Sequence, residues 1–335
     1  MINSRYHALG LILLILLCQA CWFSPVVSRG CFTCKGVNPH EWEQRLLLID
    51  DTTTILVTSD LYGGGNPCVY LSRNGGRDWE TEIRLDSLWQ YCAATSRCQD
   101  FYLALYRRDR HQSYLLRWSI FENRKDSLCL GDGPVYRNGL WLAEEGGLYV
   151  LKNSSSNDDT KLYHLNDDFS SFQYVRSLEG RLFALDVLGN GEKVSYSRED
   201  GIVLDTPDSL HFLQRGERLQ PYIMAGKRVI MSEEFRASSS SPCLLSWEVT
   251  TGQVDTIHCY DGYDAVTLFY GEANVLAGYV VYESDGFPGR DLVYSNNSGK
   301  DWIIKKTGFF GTHCEGVFEN RIFVYQNGKL YWYML

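Results

Sequence analysis

The chain has 335 residues, 44% hydrophobic and 14% aromatic, with 32 Lys and Arg against 41 Asp and Glu for a formal net charge of −9. That length allows one large domain or two ordinary ones. The acidic balance excludes the basic footprint of a nucleic-acid binder and leaves neutral or cationic partners, or sugars stacked on Tyr and Trp.

Met1 to Ser28 carries one charge, Arg5, and an apolar run from Ala8 to Cys18. That run is too short to span a bilayer and suits the core of a signal peptide, with Val26 and Ser28 meeting the small-residue rule for cleavage before Arg29. The alternative is a lipoprotein cleaved before Cys21, after Leu17-Cys18-Gln19-Ala20, which would touch a membrane only through an N-terminal lipid. Either reading places the protein outside the cytoplasm: secreted, periplasmic or on the cell surface. Residues 29–40 read as an N-terminal tether. Its Cys31-Phe32-Thr33-Cys34 lacks the helix start of a redox-active C-x-x-C pair, so a local disulfide or a mobile tether is the expectation.

Residues 41–335 read as one domain. A strand-like run follows a polar or glycine turn seven times, at Ile55, Tyr102, Leu148, Leu182, Val229, Val275 and Ile322. The steps are 47, 46, 34, 47, 46 and 47 residues. A period in the forties with short aromatic and β-branched runs predicts an all-β propeller in which each repeat is one antiparallel sheet. Seven blades are expected. The short step from Leu148 to Leu182 suggests a trimmed outer strand in the third blade or a strand shared with the fourth, and keeps six blades as the alternative. Long helices are not indicated after the leader.

Two repeats carry a sharper motif. Ser72-Arg73-Asn74-Gly75-Gly76-Arg77-Asp78-Trp79 and Ser295-Asn296-Asn297-Ser298-Gly299-Lys300-Asp301-Trp302 both read S-x-N-x-G-x-x-W. This resembles the Asp-box, or BNR repeat, of sialidase-like and sortilin-like propellers, with Asn in the Asp place. The resemblance implies a structural turn between the third and fourth strands of a blade, on the face opposite any active site. That role falls on Ser72, Asn74, Gly76, Trp79, Ser295, Asn297, Gly299 and Trp302. The side-chain oxygens bond nearby backbone, the glycine takes a positive φ, and the indole packs beneath. A decayed copy is expected at Ser197 to Leu204 and a weaker one at Asp167 to Phe172. Glu41 to Asp50 is similar to Asp78 to Asp86, the strand after a box, and the last repeat lacks a fourth strand. An N-terminal strand from Trp42 to Ile49 is therefore expected to close the last blade against Lys329 to Met334.

Eleven cysteines in an exported chain imply disulfides. Cys243 and Cys259 stand equidistant from a turn near Thr251 and are the first expected pair; Cys92 and Cys98 are the second. The pairs His258-Cys259 and His313-Cys314 suggest metal, but a bonded Cys259 removes a ligand, so no metal and no cofactor are expected.

The working face follows from blade topology. Links between second and third strands lie opposite the boxes: Ser59 to Pro67, Tyr106 to Gln112, Asn153 to Thr160, Glu233 to Pro242 and Glu283 to Arg290. Ligand contacts are expected from Tyr62, Arg108, Arg236, Phe287 and Arg290, with a glycan or an extracytoplasmic protein as partner. The expected function is a non-catalytic binding scaffold. The enzymatic alternative, raised by the Asp-box resemblance, is a divergent glycoside hydrolase using Asp60, Glu233 or Asp285. The arginine and Tyr-Glu set of a sialidase is not recognisable.

Overall fold

A computed structural model describes residues 29–335 except 39–40, 60–64, 143–146, 154–159, 167, 179–181, 188–192, 198–200, 206–209, 214–218, 225–227, 234–240, 273, 285–286, 311–313, 319–320 and 327. The described residues form seven four-stranded antiparallel sheets. A short strand, β1 (Arg29–Thr33), precedes the first full repeat. The first sheet holds β2 (Trp42–Leu48), β3 (Thr54–Ser59), β4 (Pro67–Ser72) and β5 (Glu80–Arg84). The second holds β6 (Trp89–Arg97), β7 (Asp100–Arg107), β8 (Gln112–Ser119) and β9 (Arg124–Asp132). The third holds β10 (Val135–Leu142), β11 (Leu148–Asn153), β12 (Thr160–Leu165) and β13 (Phe172–Leu178). The fourth holds β14 (Leu182–Val187), β15 (Lys193–Ser197), β16 (Gly201–Asp205) and β17 (Leu210–Leu213). The fifth holds β18 (Leu219–Met224), β19 (Arg228–Glu233), β20 (Cys243–Glu248) and β21 (Gln253–Cys259). The sixth holds β22 (Ala265–Glu272), β23 (Val275–Ser284), β24 (Phe287–Ser295) and β25 (Ile303–Phe310). The closing sheet joins β26 (Cys314–Phe318), β27 (Arg321–Gln326) and β28 (Lys329–Met334) to β1.

First strands meet in one cycle. β2 touches β6, β6 touches β10, and the contacts run on through β14, β18, β22 and β26 back to β2. Burial follows position within a sheet. Every residue of β3 and β4 is buried, because neighbouring sheets cover both faces, while outer strands such as β5 and β21 stay largely exposed. Apolar clusters fill the gaps between sheets: Ile55, Val57 and Val69 pack with Phe101, Leu103 and Trp118, and Ile230 and Leu244 with Val266 and Val293. Burying aromatic and aliphatic side chains of this size contributes about 1.5–3 kcal/mol each. Several first strands bulge against their second strands, between Glu43 and Arg45, Tyr91 and Ala93, and Leu268 and Tyr270. Such bulges bend a strand and increase its twist.

Three expectations about strand placement are corrected. The strand that closes the last sheet is Arg29–Thr33, in register from Arg29 opposite Tyr333 to Thr33 opposite Lys329. Trp42–Leu48 pairs instead with Thr54–Ser59 as the first strand of its own sheet. The likeness of Glu41 to Asp50 to an outer strand misled, since outer strands are exposed whereas Leu46 and Leu47 are buried. The presumed tether thus begins with a paired strand. Second, the run at Leu182 is a first strand, whereas the other six runs lie in second strands. The third sheet keeps a full outer strand, Phe172–Leu178, and the shortest outer strand is Leu210–Leu213 in the fourth. Third, Ser197 to Leu204 joins second and third strands of that sheet, so it is not equivalent to a box turn.

The two box turns are nearly identical. Ser72 Oγ donates to Asn74 Oδ1 at 3.0 Å and accepts from Gly76 N at 2.9 Å. Ser295 Oγ makes the same bonds to Asn297 Oδ1 and from Gly299 N, each at 2.9 Å. Gly76 and Gly299 have φ of 85° and 83°. The indole Nε1 of Trp79 donates to Gly76 O at 2.6 Å, and that of Trp302 to Gly299 O at 3.0 Å. Asn explains itself here. Its amide donates to Asp78 at 2.7 Å in one turn and to Asp301 at 2.7 Å in the other. A carboxylate in its place would face a second carboxylate. Of the weaker copy, Asp167 lies outside the described residues, but a third-to-fourth turn does form between β12 and β13, with Phe169 at φ 60° and its ring buried in the core.

Cys243 and Cys259 face each other across β20 and β21 and are disulfide-bonded. A bulge between Leu244 and Leu245 carries the register to that pairing. Cys92 and Cys98 are both free. Cys92 lies inside β6 and Cys98 beyond its end, six residues on, a span of about 20 Å at ~3.3 Å per residue. Cys31 and Cys34 are also free thiols, one exposed and one buried. No group of metal-ligating side chains occurs among the described residues.

Candidate functional site

The box turns rest on the turns between first and second strands: Gly75 N donates to Thr52 O at 2.8 Å, and Ser298 N to Asn274 O at 2.8 Å. These turns therefore share one face. In an antiparallel sheet the second-to-third links and the links between sheets fall on the other.

On that other face, at the sixth sheet, lies a cleft of about 620 Å³ lined by Asp261, Gly262, Tyr263, Tyr282, Glu283, Asp291, Lys306 and Thr307. Three pieces of chain supply it. Tyr260 to Asp264 links the fifth and sixth sheets, Tyr282 and Glu283 end β23, and Asp291 opposes Lys306 and Thr307 across β24 and β25. Asp291 is buried. Its carboxylate accepts from Thr307 N at 2.8 Å and from the Tyr263 hydroxyl at 3.2 Å, and it pairs with Lys306 Nζ at 3.3 Å. Lys306 also donates to the Tyr263 hydroxyl at 2.9 Å and stands 5.2 Å from the centroid of that ring. Bonds to Tyr263 and then Asp291 hold the Lys306 ammonium above the usual lysine range, so it stays charged. Burial pushes the Tyr282 phenol up, so it stays neutral.

Tyr263 and Tyr282 meet edge to face at 6.0 Å and 69°. Tyr282 sits opposite Gly289 in the register of β23 and β24. A Cβ at Gly289 would come within 2.6 Å of the Tyr282 ring. The missing side chain is what lets the ring lie there. Asp264 accepts from Glu283 N at 2.8 Å and donates its own N–H to Val281 O at 2.7 Å, fixing the link against the strand end. The arrangement is a binding wall: aromatic faces, one buried carboxylate and exposed charges at the rim.

The residues expected from sequence distribute unevenly. Asp60, Tyr62, Arg236 and Asp285 lie outside the described residues. Glu233 ends β19 and Phe287 begins β24. Arg290 lies in β24 beside Asp291, adjoining the cleft. Arg108 is exposed at the turn between β7 and β8 of the second sheet, where the neighbouring Arg107 pairs with Asp109 at 2.8 Å. That pair neutralises part of the positive run there. Segment Glu283 to Arg290, expected as a loop, is mostly strand: Ser284 opposes Phe287. Sequence reasoning missed Tyr263, Tyr282, Asp291 and Lys306. One signal existed, since Asp291 alternates with Val293 on a strand and stands as a charge on a core-facing row.

A second cleft of about 640 Å³ lies on the box face between the first and closing sheets, lined in part by Asp50, Arg77, Arg321 and Trp332. It belongs to the structural turns.

No family model and no curated protein sequence matches the chain. Solved structures do match. YCF48 bound to D1 peptide aligns over 92% of this chain and 96% of its own, at 14% identity and a TM-score of 0.63. The uncharacterized protein lmo1340 of Listeria monocytogenes aligns over 89% and 95%, at 9% identity and 0.59. The WD40 propeller domain of Doa1 aligns over 90% and 95%, at 11% identity and 0.56. The chain is a β-propeller. At these identities the likeness fixes the propeller fold and nothing of the ligand.

Proposed function

We propose that this propeller is an exported, non-catalytic scaffold that binds a partner through the face opposite its box turns, a protein segment being favoured over a glycan. The observation that carries the reading is the sixth-sheet cleft. It lies on the expected face and combines two positioned tyrosines with a buried, fully hydrogen-bonded carboxylate. Two further facts support it. A propeller of this size accommodates a peptide in YCF48 bound to D1 peptide, and the Cys243–Cys259 disulfide suits an oxidising compartment.

The test presents the protein to glycan and peptide arrays and then assays any bound glycan for released sugar. Saturable binding without sugar release is expected. Thr307→Arg, which fills the cleft, should weaken binding at least tenfold, and Arg77→Glu on the box face should leave it unchanged. Sugar release abolished by Asp60→Asn or Asp285→Asn, with binding intact, would overturn the scaffold in favour of a glycoside hydrolase.

A further inference from the structure

We propose that the sixth-sheet cleft takes the cationic side chain, lysine or arginine, of an extended segment of a partner protein. This rests on the binding-face reading above and names the chemistry of its ligand.

Charge decides the sign of the ligand. Three carboxylates (Asp261, Glu283, Asp291) and one ammonium (Lys306) line the cleft, a formal charge of −2. The one positive group is spent internally, on Asp291 and the Tyr263 hydroxyl. Asp261 accepts from the neutral Ser241 hydroxyl at 2.5 Å. Among the described residues, no lysine or arginine pairs with Asp261 or Glu283. An anionic ligand would meet surplus negative charge, and a neutral sugar would leave it uncompensated. The chain's overall charge of −9 draws cations in the same direction.

The aromatic wall decides the kind of cation. Ring faces attract ammonium and guanidinium groups within about 6 Å. Lys306 already occupies such a position over Tyr263, at 5.2 Å. Tyr282 offers a second ring, held in an edge-to-face contact at 69° and seated on Gly289, where a Cβ would collide with it at 2.6 Å. The cleft is therefore built to present this ring rather than left open by chance. Its walls end at strand tips on an exposed rim, so an amine carried on a flexible stem reaches in while its backbone stays outside.

An array of acetylated, amidated dodecapeptides of random sequence tests this, read with the full protein and with Glu283→Gln, Gly289→Ala and Lys306→Gln. Bound peptides should be enriched in Lys and Arg, and binding should weaken as salt is raised. Glu283→Gln should reduce binding about fivefold through loss of a rim charge. Gly289→Ala should do so by displacing Tyr282, and Lys306→Gln, which removes the competing internal cation, should strengthen it. Glu283 is exposed, so its variant keeps the test valid if Gly289→Ala fails to fold. Peptides bound with no Lys or Arg enrichment, or unaffected by Glu283→Gln, would overturn the cation pocket and leave the binding face standing. Capture of neither peptides nor glycans would overturn both readings.

Discussion

The first and sixth sheets carry the same box turn and differ at their opposite ends. Each has there a buried carboxylate, a tyrosine hydroxyl and an outer-strand cation. In the first sheet Glu41 accepts from the Thr58 hydroxyl, from Tyr70 at 3.0 Å and from Asn38 at 3.4 Å, and pairs with Arg84 at 3.3 Å. In the sixth, Asp291 takes Thr307, Tyr263 and Lys306. The carboxylates are equally buried, at 3% and 2%, and both cations are exposed, at 60% and 81%. What differs is the cover. Glu41 arrives on the segment that leaves the closing strand, which Lys35 stitches to the first sheet through Arg77 O and Trp79 N, each at 2.8 Å. The unit in the first sheet is a lock made by the chain on itself. In the sixth sheet the same chemistry is left as the wall of a cleft. These two sheets hold their box constant and vary the far end, which is where the proposed binding function is to be sought.

The contrast breaks most directly at the two carboxylates. Glu41→Ala strands interior hydroxyls on Thr58 and Tyr70 and frees the segment that joins the closing sheet to the first, so a loss of about 3 kcal/mol is expected. Asp291→Ala leaves donors on Tyr263 and Thr307 that water in the cleft can reach, and should cost only about 1 kcal/mol. The exposed partners, Arg84 and Lys306, contribute little in either case. Denaturant midpoints of the two variants measure this. An Asp291→Ala cost equal to or above that of Glu41→Ala would remove the distinction between lock and open wall.

A smaller effect sharpens what the two sheets share. Asn74→Asp places a carboxylate against Asp78 and deletes the donor between them, at a cost of about 1 kcal/mol. Asn297→Asp should cost the same against Asp301. Asp78→Asn in the Asn74→Asp background should recover most of the loss, because the donor–acceptor pair is restored in reverse. Thermal unfolding of the single and double variants completes the cycle. Additive losses would mean that the amide–carboxylate bond does not account for Asn at this position.

The parts of this molecule legible in its sequence are those set by local spacing. The box turns and the Cys243–Cys259 pair depend on residues close along one hairpin, and the period on one apolar strand pattern recurring from sheet to sheet. The closing strand was not legible: Arg29 to Thr33 has five residues and no clear alternation, and Glu41 to Asp50 imitates an outer strand. The run at Leu182 breaks the even spacing because it is a first strand, and first and second strands share the same apolar composition. The cleft was hidden for a different reason. Tyr263, Asp291 and Lys306 come together through the register of three strands, and register in the long pair β23 and β24 is settled by packing against neighbouring sheets rather than by the turn alone.

The smallest difference between the two sheets lies beneath the boxes and is set by pH. In the first sheet the supporting turn contains Asp50, whose Oδ1 accepts from Thr52 N at 2.8 Å, Thr52 Oγ1 at 2.9 Å and Thr53 N at 2.7 Å. In the sixth the box rests on Asn274, which does not titrate; its side chain accepts from Ser298 Oγ at 2.8 Å. Partial burial alone would raise the Asp50 pKa, but the bonds from Thr52 and Thr53 outweigh it and hold the carboxyl below its usual value. A folded pKa below the unfolded one means that the unfolded chain binds more protons in acid. The stabilisation is therefore complete above the unfolded value of about 4 and is lost as pH falls through the folded pKa. Because the group is partly exposed, the loss should be only a few tenths of a kcal/mol. Amide exchange resolves so small a term locally. The protection factor of Gly75 N, bonded to Thr52 O, should fall between pH 5 and pH 3 more than that of Ser298 N, bonded to Asn274 O, and Asp50→Asn should abolish the excess. Equal falls at the two amides, or an excess that survives Asp50→Asn, would show that the Asp50 carboxylate does not hold this turn.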